Sequence, residues 1–300
     1  MKIAVLLTCF NRKEKTCACL QSLYVGLDRY NKARPGQKIS LEVFLIDDGC
    51  TDGTAEAVRA QCAEKSVHII QGNGSLFWAG GMRLAWNEAY KRHTEWDFYL
   101  LLNDDTELLP GAFQELMDTH KYAIDCYKVP GIYSGITCAS DDHTKRTYSG
   151  RVWVNRFKGT TKYIGISDSP QMCELTNANI LLVHKNTVDK IGLLSTSYQH
   201  GFADYDYSIR ARKKDIPVLV SAKACGICDN DHMDKKLQEQ RVINMSFIER
   251  WKYFRHPVHS SRDYLHFIWN TSPLRWPIVF IGRLLNLFLP RIYYKLNAQR

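Results

Sequence analysis

Long uninterrupted hydrophobic runs are missing from this 300-residue chain. The most apolar stretch, residues 276–289, is interrupted by Arg283 and Asn286 and ended by Pro290, so it is too short to span a bilayer. The apolar run at the N-terminus is too short for a secretory signal and leads directly into a polar loop. Internal repeats and low-complexity segments are also absent. We therefore expect a folded, cytoplasmic protein rather than a membrane-spanning or secreted one.

A second cysteine pair that would complete a zinc site is also missing. Cys225 and Cys228 are spaced as in zinc-binding motifs and His232 follows them, but a single pair is weak evidence for a structural zinc ion. The chain has ten cysteines, and several lie in strand-like or helix-like stretches. In the absence of a secretory signal, we expect reduced thiols.

Acidic residues are scarce in the last sixty positions. Residues 241–300 hold ten Lys and Arg but only two acids, so most of the net charge of +9 lies there. Basic and aromatic side chains are mixed with apolar ones in this segment, which predicts an amphipathic helical tail at an anionic membrane surface. An ordinary helix packed on the domain is the alternative. Nucleic-acid binding uses the same residue types, but no recognition module accompanies them, so we expect no nucleic-acid partner.

Strand-like and helix-like stretches alternate through the first third of the chain. Hydrophobic residues at 45% and charged residues at 24% are ordinary for a globular protein with a sizeable core. Alternating elements predict an α/β fold with a mostly parallel, doubly wound central sheet. Strands are expected at 2–8, 41–46, 67–70 and 98–102; the later part is β-rich at 150–154, 161–166 and 180–183, with a helix at 205–213 and a strand at 218–220.

A cluster of polar side chains follows the fourth predicted strand. The apolar residues 98–102 end abruptly in Asn103, Asp104 and Asp105. A buried strand that delivers carboxylates to its C-terminal end brings negative charge to the ligand crevice of an α/β fold. Such oxygens suit Mg²⁺ or Mn²⁺ carrying a diphosphate. The alternative is a polar turn that caps the next helix.

The order of motifs along the chain resembles that of the inverting family 2 glycosyltransferases, which have the nucleotide-sugar-binding type A glycosyltransferase fold. The resemblance covers residues 1–235 or so, and six motifs in the expected order carry it. They are TCFNR at 8–12, DDGCTDGT at 47–54, GNGSLFWAGGM at 72–82, NDDT at 103–106, TNAN at 176–179 and GFADYDYSIR at 201–210.

The resemblance implies a nucleotide site along the ends of the first strands. Asp47 matches the acid that reads a uracil-type base in the family, and a carboxylate can accept hydrogen bonds from a base N–H or a ribose hydroxyl. A turn would explain Asp48 equally well, and an exposed helix position would explain Arg83. The positions assigned to the nucleotide are Thr8, Phe10, Arg12, Asp47, Asp48, Asn73, Gly74, Arg83, Asn103 and Asp104.

Sugar and acceptor contacts are implied for a second set of positions. Glycine lets the backbone approach a ligand closely, although a flexible loop would have the same composition. An indole ring is suited to stack on the apolar face of a sugar. The positions in this set are Trp78, Gly80, Gly81, Asn177 and Asn179.

The family's metal motif is Asp-any-Asp, whereas this chain has Asn103 at the first position. Aligning the last acid makes Asp105 the principal ligand of Mn²⁺ or Mg²⁺, and the Asn103 amide can still contact ribose or metal-bound water. His232 lies where the family often has an imidazole ligand, although a lone histidine is usually not a ligand.

The resemblance also assigns the catalytic base. An inverting transfer needs a group that takes a proton from the acceptor hydroxyl during attack on the anomeric carbon. The family has an acidic pair before a helix; here Ala203 replaces the first acid, which leaves Asp204. A helix N-cap at Asp204 is the alternative. Asp206 and Arg210 are expected to be supporting charges.

These positions together predict a metal-dependent inverting glycosyltransferase that moves one sugar from a UDP- or dTDP-sugar to a saccharide acceptor. A lipid-linked acceptor at the cytoplasmic face of the membrane, in cell-surface polysaccharide assembly, fits the basic tail. The expected domains are a catalytic unit at 1–240, with a nucleotide-binding half at 1–115 and an acceptor-side half at 116–240, and the tail at 241–300. Processive members carry spanning helices and Gln-x-x-Arg-Trp; here Val242 follows Arg241.

Two other functions remain open from the sequence. A sugar-1-phosphate nucleotidyltransferase uses a related sheet but needs a glycine-rich loop after the first strand, and residues 8–12 contain no glycine. A non-catalytic carbohydrate-binding protein would not need the acids or a nucleotide diphosphate.

Overall fold

The computed structural model describes residues 1–92, 95–230 and 234–298. The strands are β1 (Lys2–Cys9), β2 (Ser40–Asp47), β3 (Val67–Gln71), β4 (Phe98–Leu102), β5 (Glu107–Leu108), β6 (Ile132–Cys138), β7 (Arg146–Tyr148), β8 (Arg151–Asn155), β9 (Thr160–Tyr163), β10 (Gln171–Met172), β11 (Ile180–His184) and β12 (Val218–Ile227). The helices are α1 (Lys13–Ala33), α2 (Thr54–Gln61), α3 (Phe77–Lys91), α4 (Ala112–Tyr127), α5 (Lys185–Ile191), α6 (Ala203–Arg212), α7 (Lys235–Asn244), α8 (Phe247–Arg255), α9 (Ser261–Thr271), α10 (Trp276–Phe288) and α11 (Pro290–Ala298).

One large sheet organises these elements, in the order β10-β12-β6-β11-β4-β1-β2-β3. The four strands β3, β2, β1 and β4 are parallel to one another, as expected for the nucleotide-binding half. Strand β11 is antiparallel to both β4 and β6, and β12 is parallel to β6. The prediction of a mostly parallel α/β sheet is confirmed.

Helices cover both faces of the sheet, which explains why β1 and β4 are apolar along their whole length. Alternate residues of β1 enter different cores: Leu6 packs in the cluster with Met82 and Trp86 of α3, and Val5 in the cluster with Leu20 of α1. A strand buried on both faces reads as a continuous hydrophobic run rather than an alternating one.

The register of the strands brings their polar ends to one edge. Cys9 at the end of β1 lies opposite Asp47 at the end of β2, and Leu6 lies opposite Leu101 of β4. The loops after these strands therefore meet. The crevice outside the carboxyl ends of parallel strands is where open α/β sheets bind ligands.

Strand β12 differs from the short strand predicted at 218–220, because it continues to Ile227. Its register against β6 shifts between Val220 and Ala224, so the alternation of apolar residues that marks a strand is broken there. Cys225 lies inside β12 and is fully buried, whereas Cys228 follows the strand. All ten cysteines are free thiols.

The C-terminal helices are joined to the sheet domain. Phe267 and Ile268 of α9 are buried in the same core as β1 and α3. The carboxylate of Asp263, also on α9, accepts hydrogen bonds from the backbone nitrogens of Gln199 and His200. Within residues 1–92, 95–230 and 234–298, no helix is both long and apolar enough to cross a membrane.

Candidate active site

Asp48 organises the loop between β3 and α3. One carboxylate oxygen accepts from the backbone nitrogen of Gly74 at 2.9 Å, and the other from those of Leu76 at 2.9 Å and Phe77 at 3.1 Å. A Cβ at Gly72 would lie 2.6 Å from the same carboxylate, so only glycine fits there. Asp48 therefore holds the loop and the start of α3, and its two oxygens are occupied by this task.

The neighbouring acid, Asp47, is buried at the end of β2 and accepts from the backbone nitrogen of Cys50 at 2.7 Å. The turn after β1 is joined to the same loop, since Asn11 accepts from the backbone nitrogen of Thr51 at 2.7 Å. Phe10 is exposed beside it. The predicted nucleotide residues of β1 and β2 thus lie side by side at one edge of the sheet.

Helix α3 is packed very closely against β1. Gly81 is buried against Thr8: a Cβ there would lie 2.1 Å from the Thr8 hydroxyl oxygen. The glycine is required for this helix–strand contact. Gly80, one residue earlier, faces Leu76, and Asn73 and Gly74 are exposed at the tip of the loop.

Trp78 on α3 contacts the polar cluster after β4. Its indole N–H donates a hydrogen bond of 2.8 Å to the side-chain oxygen of Asn103. The ring is partly buried against the core. This contact connects two motifs that are 25 residues apart in sequence.

Arg12 bridges the two acids of the cluster. One guanidinium nitrogen lies 2.7 Å from Asp105 Oδ2 and 3.3 Å from Asp104 Oδ1. Burial raises the pKa of Asp104 to about 7, although the positive charge of Arg12 opposes this and the charge of Asp105 adds to it. In the part of the chain that the structure describes, Asp104 Oδ2 is buried without a hydrogen-bond partner.

The two carboxylates suit a divalent cation. Mg²⁺ and Mn²⁺ are commonly held by one or two carboxylates, with substrate phosphates and water as the other ligands. The unpaired oxygen of Asp104 and the partly exposed Asp105 supply such oxygens. Among the described residues, no three His, Cys, Asp or Glu side chains form a group that could hold a metal by themselves. His232 lies outside the described residues.

Asp204 lies in the first turn of α6. The helix begins at Ala203, and Phe202 occupies the N-cap position with a φ of 68° and no side-chain capping hydrogen bond, so Asp204 is not the N-cap residue. The Asp204 carboxylate accepts from the backbone nitrogens of Tyr205 at 2.9 Å and Ala178 at 3.2 Å. Burial raises its pKa to about 6, and these hydrogen bonds limit the rise.

The segment 177–179 connects Asp204 with the acid cluster. Ala178 donates to Asp204, while the next residue, Asn179, accepts at its carbonyl from the backbone nitrogen of Asn103 at 3.1 Å. The Asn179 amide also contacts the Cys228 sulfur at 3.3 Å. The Asn177 side-chain oxygen is buried without a partner among the described residues. One short segment thus fixes the position of Asp204 relative to Asn103.

Arg151 is a site residue that sequence reasoning missed. Its guanidinium stacks on the Tyr163 ring at 3.8 Å, and its positive charge acts to lower the pKa of Asp204. A basic residue at the start of a short strand carries no recognisable motif. Only the folded arrangement of the β8–β9 hairpin brings it near α6.

Three charged residues are engaged in structural contacts. Arg83 donates to the carbonyls of Ser195 and Tyr198, at 2.8 and 2.7 Å, rather than to the acid cluster. Asp206 and Arg210 form an ion pair of 2.9 Å on α6. Arg83 therefore joins α3 to the loop before α6, which positions that loop beside the site.

Comparison with known proteins identifies the class to which this fold and site belong. The sequence profile described as "Glycosyl transferase family 2" matches residues 4–173, more than half of the chain. The chain belongs to glycosyl transferase family 2, and it is a glycosyltransferase with the type A fold. No curated protein sequence matches it.

Solved structures share this fold at low sequence identity. The crystal structure of S. aureus TarS 1-349 is 12% identical with a TM-score of 0.56, covering all of this chain and 92% of that one. The same TarS fragment in complex with UDP-GlcNAc is 14% identical with a TM-score of 0.53, covering 96% and 79%. Mannosyltransferase PcManGT from Pyrobaculum calidifontis, in complex with GDP-Man and Mn²⁺, is 14% identical with a TM-score of 0.51, covering 99% and 83%.

Proposed function

We propose that this protein is a metal-dependent, inverting glycosyltransferase that transfers one sugar from a UDP- or dTDP-sugar to a saccharide acceptor. The observation that carries the proposal is the position of Asp204, a carboxylate of raised pKa joined through residues 177–179 to the Asn103–Asp105 cluster. A base and a diphosphate-binding edge held at fixed positions are what a one-step displacement requires.

In the proposed reaction, the ionised Asp204 accepts the proton of an acceptor hydroxyl while that oxygen attacks the anomeric carbon. The bond to the diphosphate oxygen breaks on the opposite face, and the nucleoside diphosphate leaves with the electron pair. A pKa near 6 suits this role, because the carboxylate is ionised at neutral pH yet more basic than an ordinary aspartate. Arg151 would limit the rise of this pKa.

Asp105 and Asp104 would hold the divalent cation, which neutralises the leaving diphosphate when it is bound. The Mn²⁺ in the PcManGT complex supports this assignment. Arg12 forms ion pairs with the same two carboxylates, and its charge offsets their mutual repulsion. When a donor enters, the Arg12 side chain can turn to contact the diphosphate. We assign Asp47 to the base or ribose, and Trp78, Asn177 and Asn179 to the sugars.

The surface of α10 supports a location at the cytoplasmic face of a membrane. Ile278, Ile281, Leu284 and Phe288 are exposed along one side of the helix, at spacings of three and four residues. Trp276 and Val279, on the other side, pack against the main core. An apolar stripe that is held outward by packing, in a segment rich in basic residues, fits insertion among anionic headgroups. A lipid-linked acceptor would be reached there.

A screen of nucleotide sugars tests the proposal. We expect one UDP- or dTDP-sugar to raise the melting temperature in the presence of Mn²⁺ and to be hydrolysed slowly, and the anomer of the transferred sugar to be inverted. Release of pyrophosphate from a nucleoside triphosphate and a sugar 1-phosphate would instead identify a nucleotidyltransferase. Binding of a glycan with no response to any nucleotide diphosphate would identify a carbohydrate-binding protein.

A further inference from the structure

A basic cleft lies beside the proposed active site, between α7, α8 and the short 3₁₀ turn Pro257–His259. It is open to solvent and has a volume of about 710 Å³, within the range of small-molecule sites. Four of its lining side chains carry or can carry positive charge. They are Arg241, Lys252, His256 and His259.

The positive charge of this cleft is incompletely neutralised by the protein. Glu249 is the only acid among the described residues that line the cleft, and one of its oxygens accepts from the Ser246 backbone nitrogen at the start of α8. Burial lowers the pKa of His259, and the nearby charges of His256 and Arg241 lower it further, so the permanent positive charge of the cleft comes from Arg241 and Lys252. Cations that face one another across a cavity favour a multivalent anion between them.

The cleft adjoins a smaller cavity that reaches the loop before α6, the helix on which Asp204 lies. Tyr253 and His259 line both cavities, and the second, of about 300 Å³, extends to Gly201 and Phe202. Phe202 directly precedes α6, on which Asp204 lies. Aromatic rings from α8, α9 and α11 line the second cavity and can stack on sugars. The two cavities therefore place an anion site and a sugar-sized chamber next to the loop that leads into α6.

His256 also connects the cleft to the donor side. Its ring contacts Phe77, the first residue of α3, edge to face at a centroid distance of 5.4 Å. Phe77 is one of the residues whose backbone nitrogen Asp48 holds. A ligand in the cleft would thus lie next to the loop that borders the donor.

We propose that the cleft binds the phosphate or diphosphate group of a phosphorylated glycan acceptor, whose sugar end extends through the second cavity to Asp204. The proposal rests on the proposed glycosyltransferase reaction for its choice of acceptor. A neutral saccharide would make no use of the positive charges of Arg241 and Lys252. Arg241 and Lys252 supply charge-assisted hydrogen bonds, and Tyr253 stacks on His259 at 3.9 Å to hold that ring in the wall.

Calorimetry on the full-length protein without added metal tests this site. The probes are inorganic pyrophosphate, farnesyl diphosphate and farnesol, and the variants are Lys252→Gln and Arg241→Gln. Arg255→Gln is the matched control, because Arg255 is on the same helix as Lys252 but stacks on Trp251 outside the cleft lining. Melting curves check folding, and the affinity for UDP with Mn²⁺ is measured separately for each protein.

Each cleft variant should bind pyrophosphate and farnesyl diphosphate roughly tenfold more weakly, because one charge-assisted contact is lost. The control should keep the wild-type affinity. Farnesyl diphosphate that binds tighter than pyrophosphate indicates a lipid-linked source, and equal affinities indicate a soluble phosphoglycan. Diphosphate affinities that are unchanged in both variants, or farnesol binding as tight as farnesyl diphosphate, would overturn the proposal. If the wild-type protein binds the diphosphate probes but does not bind UDP with Mn²⁺, the proposed use of a UDP-sugar is refuted and the anion site is left intact.

Discussion

The indole N–H of Trp78 donates a 2.8 Å hydrogen bond to the side-chain oxygen of Asn103. This contact explains how the chain uses an amide where the family has an acid. Asn103 accepts a hydrogen bond from the indole N–H without adding a third carboxylate beside Asp104 and Asp105. Burial and the charge of Asp105 already raise the pKa of Asp104. The first motif position thus orients the residue that we assign to the sugar.

Replacing Asn103 by alanine should release this ring. We expect the Asn103→Ala protein to lose about 1 kcal/mol of folding free energy, because the partly buried indole N–H is left unpaired, and to bind the donor sugar several-fold more weakly. Melting curves and titration with the donor measure both effects. Asn103→Asp keeps an acceptor oxygen and should restore the contact; equal donor affinity in the alanine variant and the wild type would contradict this role for Trp78.

Asp48→Ala should lower the stability of the fold more than it lowers the affinity for the nucleotide. Three backbone nitrogens of residues 74–77 would lose their acceptor, so we expect a loss of about 1–3 kcal/mol per buried group left unpaired and a disordered donor loop. Chemical denaturation measures the free energy of unfolding. Glu64→Ala, at an exposed position before β3, is the control. Full stability in Asp48→Ala with a selective loss of nucleotide affinity would identify Asp48 as a nucleotide ligand instead.

Much of the sheet and of the donor edge could be predicted because the signals are local. The apolar runs of β1, β2 and β4 end at their polar motifs, and parallel strands bring those ends together whatever the loops do. The same reasoning predicted a helix at 205–213, where the structure has α6 at Ala203–Arg212. These are consequences of strand period and helix spacing, which short stretches of sequence contain.

The roles of single polar side chains could not be predicted, because they depend on contacts far apart in sequence. Asp48 meets Phe77 across 29 residues and Arg83 meets Tyr198 across 115. The packing of the C-terminal segment could not be predicted for the same reason. Its composition predicts a membrane-surface tail, yet in α9 Asp263 accepts a hydrogen bond from the Gln199 backbone and Phe267 is part of the core of the sheet domain.

Asp105→Ala should abolish metal-dependent donor binding. The diphosphate would lose the cation that screens its charge, and Asp104 would remain with Arg12 as its only ion-pair partner among the described residues. Calorimetry with UDP or dTDP, with and without Mn²⁺, measures the change. Glu107→Ala, an exposed acid two residues away, is the control. Unchanged affinity and metal dependence in Asp105→Ala would remove this residue from the site.

Ile278→Ser combined with Ile281→Ser should reduce binding to anionic vesicles by at least tenfold, since two exposed aliphatic side chains would no longer enter the interface. These side chains are 57% and 63% exposed, so folding should be unaffected. Val154→Ser, at 62% exposure on the β8 strand, is the matched control. Vesicle sedimentation at low and high salt measures partitioning; equal partitioning of all three proteins would refute the membrane surface.

Asp204→Asn should nearly stop transfer while donor binding survives. The amide cannot take the acceptor proton, and losing a positioned base typically costs roughly 10²–10⁴ in rate. Turnover with donor and acceptor, beside a melting curve, is the measurement. Asp206→Asn is the matched control, because it breaks the Arg210 ion pair and should lower stability more than it lowers the chemical step. Wild-type turnover in Asp204→Asn would exclude Asp204 as the base.

The pH dependence of the wild-type enzyme gives the same assignment an independent test. The pKa of Asp204 is raised from 3.8 to about 6, so the carboxylate is ionised and able to accept a proton above pH 6, and the rate should fall tenfold per unit below it. The folded state also binds this proton more tightly than the unfolded chain does. Stability relative to Asp204→Asn should therefore fall as pH rises from about 4 to 6 and stay level above. A rate profile that is flat down to pH 5 would mean that another group takes the proton.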